Sequence, residues 1–333
     1  MKTLIIAEAG VNHNGSLKKA KKLIDIAKIA GADVVKFQTF DPDKLVTKSA
    51  IQAKYQRKNK NSKAKQHDML KKLVLKSKDH NKLFNYAKKR GIEFLSTAFD
   101  EENLKMLLKL GIKKIKIPSG EINNRTLLSL AGKQKMPIIL STGMSYLNEV
   151  SNALSVIVKS GTPKSKITVL HCTSEYPASF KNVNLSAMSL MRKKLNTSIG
   201  YSDHTLGSEV AIAAVARGAK IIEKHFTISR KLIGPDHKSS LEPKELKNFI
   251  RSIRNVEKSI GKYSKFPTAI EKQNRQLVRK SLVAIKFIKK GEVFSKRNIG
   301  AKRPGNGISP MRIFQILGKR AKKDFSKDQL IRN

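Results

Sequence analysis

Polar side chains stand directly after eight short apolar runs of this sequence. The segments that carry them are Glu8–His13, Lys36–Thr39, Ser96–Thr97, Lys116–Glu121, Ser141–Gly143, His171–Tyr176, Ser202–His204 and Glu223–His225. A polar group that is buried beside an apolar run costs free energy unless it finds a partner. The recurrence of such groups after every run therefore indicates one shared site rather than eight unrelated positions.

The cations and hydroxyls of this set predict an anion-binding cradle. Lys36 and Lys116 supply positive charge, and serine and threonine side chains in the other segments supply hydroxyl donors. Ammonium and hydroxyl groups bind phosphate and carboxylate oxygens through strong, charge-assisted hydrogen bonds. We therefore expect a substrate that carries both kinds of anionic group.

Two histidines and one glutamate add possible chemistry to the cradle. His204 and His225 end the last two segments, and imidazoles on neighbouring strands can share a metal ion. A site with only two protein imidazoles leaves positions for water and substrate. Glu8 is a candidate general acid or base. The alternatives are hydrogen-bonding histidines and a salt bridge from Glu8 to Lys36 or Lys116.

The spacing of the apolar runs predicts the elements that position these groups. The predicted strands are Leu4–Ala7, Val34–Phe37, Phe94–Ser96, Ile115–Ile117, Pro137–Leu140, Ile167–Leu170, Ser198–Tyr201 and Ile221–Ile222. The predicted helices between them include Leu17–Ala30, Asn81–Arg90, Glu102–Leu110, Leu147–Lys159 and Ser208–Arg217.

Eight strand–helix units in about 250 residues predict an α/β fold of the (β/α)8 TIM-barrel type. The active site of such a barrel forms at the carboxyl ends of its strands, where the polar segments lie. A doubly wound open sheet is the alternative, but the first run is not followed by the GxGxxG pattern of that fold.

The pattern changes after the predicted barrel, which we assign to residues 1–260. Residues 261–280 are predicted as a linker, and residues 281–333 combine short strands with Gly/Pro turns in a small β-rich domain. A module of about 50 residues buries too little apolar surface to be stable alone, so we expect it to pack on another surface. The insertion 41–80 is predicted as a loop over the barrel mouth followed by a helix.

Composition limits the function classes. Lys and Arg number 69 against 25 Asp and Glu, for a net charge of +44, and the single cysteine, Cys172, excludes a disulfide scaffold and a Cys-rich zinc site. A positive field attracts anionic metabolites. Nucleic-acid binding is the alternative class, with Lys58–Lys65 as the most basic insertion segment, although no nucleic-acid-binding motif is present. Without a long apolar run or a signal-peptide pattern, we expect a cytoplasmic protein.

Several motifs resemble those of a known family. They are Ile6–Gly15, Val35–Thr39, Leu95–Asp100, Lys116–Glu121, Ile139–Met144, Leu170–Pro177, Gly200–Thr205, Glu223–Thr227, Gly234–His237 and Lys302–Met311. Together they resemble the sialic acid synthases, which condense phosphoenolpyruvate (PEP) with an N-acetylated amino sugar. The last motif resembles the antifreeze-like (SAF) domain that follows the barrel in that family. The resemblance covers nearly the whole chain.

The resemblance implies roles for individual residues. Glu8 matches the catalytic glutamate, and His204 and His225 match the ligands of a divalent metal, Mn²⁺ first, with Mg²⁺ or Co²⁺ as alternatives. The implied substrate-binding residues are Lys36, Thr97, Lys116, Ser119, Ser141 and Ser202 for PEP, Tyr176 and Asp236 for sugar hydroxyls, and Glu121. Arg303 would reach the sugar's N-acetyl group across a domain-swapped homodimer.

The activity that the resemblance implies is that of an N-acetylneuraminate synthase. Such an enzyme converts PEP, N-acetylmannosamine and water into N-acetylneuraminate and phosphate, with cleavage of the C–O bond of PEP. The alternative product is N,N'-diacetyllegionaminate, made from a diacetylated 6-deoxy amino sugar. A Schiff-base aldolase using Lys116 or Lys224 is a rival mechanism, but a reactive amine prefers a desolvated site without neighbouring anions.

Overall fold

The computed structural model describes residues 2–53, 56 and 65–332 of the chain. The chain divides into two compact units, one ending at Gly261 and one beginning at Lys262. The expected linker, 261–280, falls almost wholly in the second unit. Most of the basic stretch Lys58–Lys65 lies outside the described residues, which include only Lys65 of it.

The first unit is built around a closed barrel of eight parallel strands in sequence order. The strands are β1 (Leu4–Gly10), β2 (Val34–Thr39), β3 (Glu93–Ala98), β4 (Ile115–Ile117), β5 (Ile138–Ser141), β6 (Ile167–Cys172), β7 (Ser198–Asp203) and β8 (Ile221–His225). Strand β8 pairs with β1 and closes the barrel. The predicted TIM barrel is confirmed.

Helices surround the barrel. They are α1 (Leu17–Ala30), α2 (Pro42–Leu45), α3 (Gln66–Lys71), α4 (Ser77–Arg90), α5 (Glu101–Leu110), α6 (Arg125–Lys133), α7 (Leu147–Lys159), α8 (Ser186–Leu195), α9 (Glu209–Ala216) and α10 (Pro243–Ile260). Helix α1 shows why these segments begin and end where they do: the Ser16 side chain accepts a hydrogen bond from the Lys19 amide, and Gly31 ends the helix at a φ of 89°. In the part of the chain that the structure describes, no helix is long and apolar enough to cross a membrane.

Most strands run further than the sequence predicted. Strand β1 continues from Ala7 to Gly10, and β8 continues from Ile222 to His225. The apolar runs ended at the first polar residue, but the backbone ladder continues because side chains alternate between the barrel interior and the helix layer. The polar groups at these positions, such as Glu8 and Glu223, are therefore held on rigid strands rather than on loops.

The barrel interior is layered. One layer is aliphatic and consists of Ile6, Val34, Leu95, Ile139, Leu170 and Ile221. Gly200 lies beside this layer, and a Cβ there would stand 2.5 Å from Leu170 Cδ2 and 2.6 Å from the Ile221 carbonyl oxygen. Only glycine fits at that point. Two residues further along most strands, toward their carboxyl ends, the inward positions become polar.

The second unit contains α11 (Ala269–Val278) and an antiparallel pair of strands, β9 (Ser281–Ala284) and β10 (Ile299–Lys302). It has its own small core, in which Leu282, Phe294 and Phe325 are buried. The expected small β-rich domain is therefore observed. Helix α11 buries none of its residues in this chain.

Candidate active site

The carboxyl ends of the barrel strands gather most of the predicted site residues. Contacts within this rim involve Glu8, Lys36, Thr97, Lys116, Ser119, Ser141, Tyr176, Ser202, His204 and His225. Except for Ser119 and Tyr176, these side chains are buried. They come from every strand or from the residues directly after it, so the shared site inferred from the sequence exists as a physical cluster.

Glu8 and Lys36 form the centre of one half of the rim. The Lys36 Nζ atom lies 2.9 Å from Glu8 Oε2 and donates to Thr97 Oγ1 at 2.9 Å. Gln38 Nε2 donates to Glu8 Oε1 at 3.2 Å. The salt bridge that stood as the alternative role for Glu8 is thus present in the structure. It does not exclude proton transfer, because burial raises the pKa of Glu8 despite the salt bridge.

Lys116 and Glu223 form the other half. The Lys116 Nζ atom donates to Ser141 Oγ at 2.6 Å and lies 3.8 Å from Glu223 Oε1. Ser202 Oγ donates to Glu223 Oε1 at 3.1 Å, and Lys36 Nζ is 3.6 Å from Glu223 Oε2. Glu223 therefore bridges the two lysines.

The pKa values of the two carboxyl groups in the rim are shifted in opposite directions. Burial raises the pKa of Glu8 well above its usual value; Lys36 opposes this shift, and the nearby charge of Glu223 adds to it. Burial would also raise the pKa of Glu223, but Lys116 and Lys36 together outweigh it and lower that pKa. Two carboxyls whose pKa values are pushed apart are typical of acid–base sites. Glu8 is the one suited to gain and lose a proton near neutral pH.

A pocket of small polar groups lies beside Lys116. The Gly143 amide donates to Ser119 Oγ at 2.9 Å, and Cys172 Sγ is 3.3 Å from the same hydroxyl. A Cβ at position 143 would lie 2.2 Å from Ser174 Oγ, so glycine keeps this space open. Ser174 thus belongs to the same group of donors as Ser119, and the pocket suits the oxygens of a phosphate or carboxylate.

The histidines occupy a separate corner of the rim. The ring centroids of His204 and His225 are 5.6 Å apart, and the Tyr176 ring packs on His204 at 4.1 Å. His204 Nδ1 bonds the Thr173 carbonyl oxygen at 2.6 Å, which leaves Nε2 as the acceptor atom. Burial lowers the pKa of both imidazoles.

These features fit a metal ion. A histidine that binds a metal must be neutral and must offer one ring nitrogen to the metal, and a hydrogen bond from its other ring nitrogen typically orients the ring. His204 is oriented in this way by Thr173, and its Nε2 atom makes a long contact of 3.5 Å to Ser202 Oγ. His225 Nδ1 is buried without a hydrogen-bond partner. Within the described ranges, no group of three or more His, Cys, Asp or Glu side chains is arranged to hold a metal.

Three predicted residues stand apart from these contacts. Asp236 is buried beyond β8, and its pKa is raised to about 6 by burial. Glu121 accepts a hydrogen bond from Asn124 at 2.8 Å and lines a neighbouring polar cavity of about 460 Å³. Arg303 belongs to the second unit, where it is exposed directly after β10.

The sequence-based residue set missed Glu223 and Gln38. Both carried a signal, because each lies two residues from a predicted site residue on the same strand, Glu223 before His225 and Gln38 after Lys36. Residues two apart on a strand face the same side. Lys224, by contrast, points to the helix layer, where it pairs with Asp203 and lies over the Phe249 ring. That placement removes Lys224 as a Schiff-base candidate.

Comparisons with known proteins follow the same division of the chain. The NeuB family model matches residues 23–265, and the SAF domain model matches residues 279–333. The N,N'-diacetyllegionaminic acid synthase of Campylobacter jejuni is 51% identical over 331 residues, covering 99% of both chains. The enzyme of the same name from Legionella pneumophila is 45% identical, covering 98% of this chain and 92% of its own.

A solved structure of a related synthetase is also similar to this chain. The N-acetylneuraminic acid synthetase of Leptospira borgpetersenii, crystallised with citrate, aligns with a TM-score of 0.72 and 36% identity. The alignment covers 82% of this chain and 90% of that one.

Proposed function

We propose that this chain makes N,N'-diacetyllegionaminate from PEP, a diacetylated 6-deoxy amino sugar and water. The chain belongs to the NeuB family, whose model matches residues 23–265. The chain is a PEP-dependent, carbon–carbon bond-forming transferase of the sialic acid synthase type. The choice of sugar rests on 51% identity to a legionaminic acid synthase over the full length. The relatives support this product better than N-acetylneuraminate, which the motifs alone favoured and which stays the second candidate.

The observation that carries the proposal is the pair of buried lysines in the rim. Lys36 and Lys116 are each 3% exposed and share Glu223 between them. In PEP the carboxylate is bonded to C2 and the phosphate to the oxygen on C2, so the two anionic groups lie close together. We assign the two lysines and the hydroxyls of Ser119, Ser141 and Ser202 to those groups. Fixed donors in a water-poor site stabilise developing charge without reorganising, so much of the catalysis is positioning and electrostatics.

His204 and His225 are the residues that would hold the divalent metal, and a bound metal would act as a Lewis acid that polarises the sugar aldehyde. Tyr176, packed on His204, limits how the sugar can approach this corner. Asp236 supplies a buried carboxyl for a sugar hydroxyl. Mn²⁺ is the proposed ion.

The proton balance of the reaction gives Glu8 its role. C3 of PEP bonds to the aldehyde carbon, and the aldehyde oxygen takes up a proton to become a hydroxyl. Water bonds to C2 and releases a proton. The C–O bond between C2 and the phosphate oxygen then breaks, and the C2 hydroxyl passes its proton to the departing phosphate as the ketone forms, so phosphate leaves as a protonated anion. A carboxyl with a raised pKa can accept the water proton and return one to the sugar oxygen.

A phosphate-release assay with PEP and a panel of amino sugars tests the substrate. We expect kcat/KM for the diacetylated 6-deoxy sugar to exceed that for N-acetylmannosamine by at least about tenfold, the scale at which a site discriminates one added group. A preference for N-acetylmannosamine would instead establish the second candidate. No phosphate release with any N-acetylated sugar would contradict the proposed reaction.

We further propose a homodimer in which the second unit acts on a partner's barrel. The support comes from the second unit itself: Ile270 and Leu277 on α11 are 70% and 68% exposed, and Met311 and Phe314 are 90% and 78% exposed. Apolar side chains at this density indicate a surface that is covered in the assembled protein. Arg303 lies exposed in the same unit and presents a planar fork that can bond an amide carbonyl.

Mixing two inactive variants tests this arrangement. Arg303→Ala should raise KM for the sugar by about 10–150-fold, the range for a charged hydrogen bond of 1.5–3 kcal/mol, and leave KM for PEP unchanged. If Arg303 acts in trans, a heterodimer of Glu8→Gln and Arg303→Ala has one site with both lesions and one with neither, so activity returns. Heterodimers verified by mass spectrometry that stay inactive would refute the arrangement.

A further inference from the structure

A buried ion pair lies directly behind the two histidines. Lys224 Nζ is 2.7 Å from Asp203 Oδ2, and the two side chains are 1% and 0% exposed. Asp203 is the last residue of β7 and immediately precedes His204, and Lys224 immediately precedes His225 on β8. The two residues are register partners across these strands. The pair faces the helix layer, because strand side chains alternate, while His225 faces the interior.

The hydrogen bonds of this pair converge on the backbone around His204. Asp203 Oδ1 accepts from the Thr205 amide at 3.0 Å and from Thr205 Oγ1 at 2.7 Å. Lys224 Nζ donates to the Thr205 carbonyl oxygen as well as to Asp203. The residues on both sides of His204 are therefore bound to the residue that precedes His225.

Stability alone does not account for such a pair. Removing two charges from water costs about as much as their attraction returns, and apolar replacements of buried pairs are often neutral. A role in fixing the local geometry accounts for the ion pair, since each of these hydrogen bonds restrains residues 203–205 or connects them to β8. The ring of His204 is fixed separately, by its bond to Thr173.

We propose that the Asp203–Lys224 pair positions the two histidines for the metal, by setting the distance and orientation between the backbones that carry them. Asp203 and Lys224 are buried against the helix layer, where Lys224 lies over the Phe249 ring, so we assign them as positioning residues. The inference rests on the metal site proposed above. Residues that orient metal ligands typically change metal affinity by about 10–100-fold when they are replaced.

The test measures Mn²⁺ binding to the full chain, by electron paramagnetic resonance of the free ion. The double variant Asp203→Asn/Lys224→Met removes both charges together, so no unpaired charge stays buried. We expect its Kd for Mn²⁺ to rise by about 10–100-fold. We also expect its Kd for PEP without metal to be unchanged, because Lys36 and Lys116 do not contact this pair.

A control pair of the same charges is available at the other end of the barrel, where its side chains are 22% and 23% exposed. Lys114 and Glu93 form a pair 2.6 Å long across the starts of β3 and β4. The variant Glu93→Gln/Lys114→Met makes the same chemical change there and should leave the Kd for Mn²⁺ unaltered. An equal loss of Mn²⁺ affinity in this control, or a parallel loss of PEP binding in the test variant, would show general loosening and overturn the proposal.

Thr205→Val provides a second variant that does not disturb the charges. It removes one hydrogen bond to the Asp203 carboxylate, while the Thr205 amide still donates to the same oxygen. Mn²⁺ binding should therefore weaken by only about 2–10-fold, below the full effect of losing a hydrogen bond to a charged group. It decides the matter if the double variant does not fold. Wild-type Mn²⁺ affinity in the folded variants would overturn this inference alone. Absence of Mn²⁺ binding by the unmodified chain would overturn the metal site itself, and this inference with it.

Discussion

Each end of the barrel carries a cationic side chain paired with two carboxylates, but in different surroundings. At the end where the strands begin, Arg254 of α10 lies 2.6 Å from Asp33 Oδ2 and 3.0 Å from Glu257 Oε1, with side chains 11–21% exposed. At the end where the strands finish, Lys36 lies between Glu8 and Glu223 with side chains 1–6% exposed. The second group has lost almost all contact with water.

This difference in burial changes what the charges do. Burial alone would raise the pKa of Asp33. Hydrogen bonds from Lys2, the Ile5 amide and Arg254 outweigh this effect, so the pKa of Asp33 is lowered. For Glu8 burial wins over Lys36, and the pKa is raised. A carboxyl group whose pKa is lowered on folding stabilises the folded state at neutral pH. One whose pKa is raised destabilises the folded state, and such groups are typical of functional sites. We therefore propose that the first end stabilises the fold and that the second end carries the chemistry.

Metal removal is the strongest test of the reactive end. EDTA should abolish turnover and Mn²⁺ should restore it, and His204→Ala and His225→Ala should each remove most of the metal-dependent rate, while all three leave the melting temperature within a few degrees. Phosphate release and thermal unfolding measure the two properties separately. Full activity in EDTA, or inactivation by borohydride in the presence of substrate, would point to a lysine Schiff base instead.

Glu8→Gln should lower kcat by about 10²–10⁴-fold, the usual loss for a positioned acid–base group. PEP binding should be nearly intact, because Lys36 keeps Thr97 and Glu223 as partners. Steady-state kinetics separate the two parameters. A raised KM for PEP with kcat preserved would mean that Glu8 serves only as a partner of Lys36.

Arg254→Ala should have the opposite profile, with lower stability and unchanged kcat. Arg254 also donates to the Thr3 carbonyl oxygen at 2.8 Å, so it ties α10 to the start of β1. Loss of these partly buried charged bonds should reduce the free energy of unfolding by about 1.5–3 kcal/mol. Urea unfolding and kinetics at 25 °C measure the two effects. A matching loss of kcat would end the division between the two ends.

Acid should act on the same pairs with a smaller effect. The pKa values of Asp33 and Glu257 are lowered in the folded protein. Their stabilisation is therefore complete above the ordinary carboxyl pKa of about 4 and is lost as the pH falls through the lowered values. The wild type should lose more stability than Arg254→Ala between pH 6 and pH 3. Parallel stability curves for the two proteins would contradict this assignment.

Much of the fold follows from local pattern in the sequence. Strand β4 and helices α1 and α7 begin and end at the predicted residues, because each is bounded by residues with strong local preferences, such as Gly31 after α1. The strands that were predicted too short, such as β1 and β8, are those in which a polar residue follows the apolar run before the strand ends. Local polarity marked a strand end there, whereas only the closed ladder decides where pairing stops.

The sequence by itself also determined which residue types reach the rim, since the positions of Glu8, Lys36, Lys116, His204 and His225 follow from strand order and alternation. Only the tertiary structure decided how they pair. It placed Glu223 between the two lysines, paired Lys224 with Asp203, and buried Glu8 deeply enough to raise its pKa. The physical reason is that charge pairing and desolvation depend on neighbours from strands far apart in the chain, and no local pattern records those neighbours.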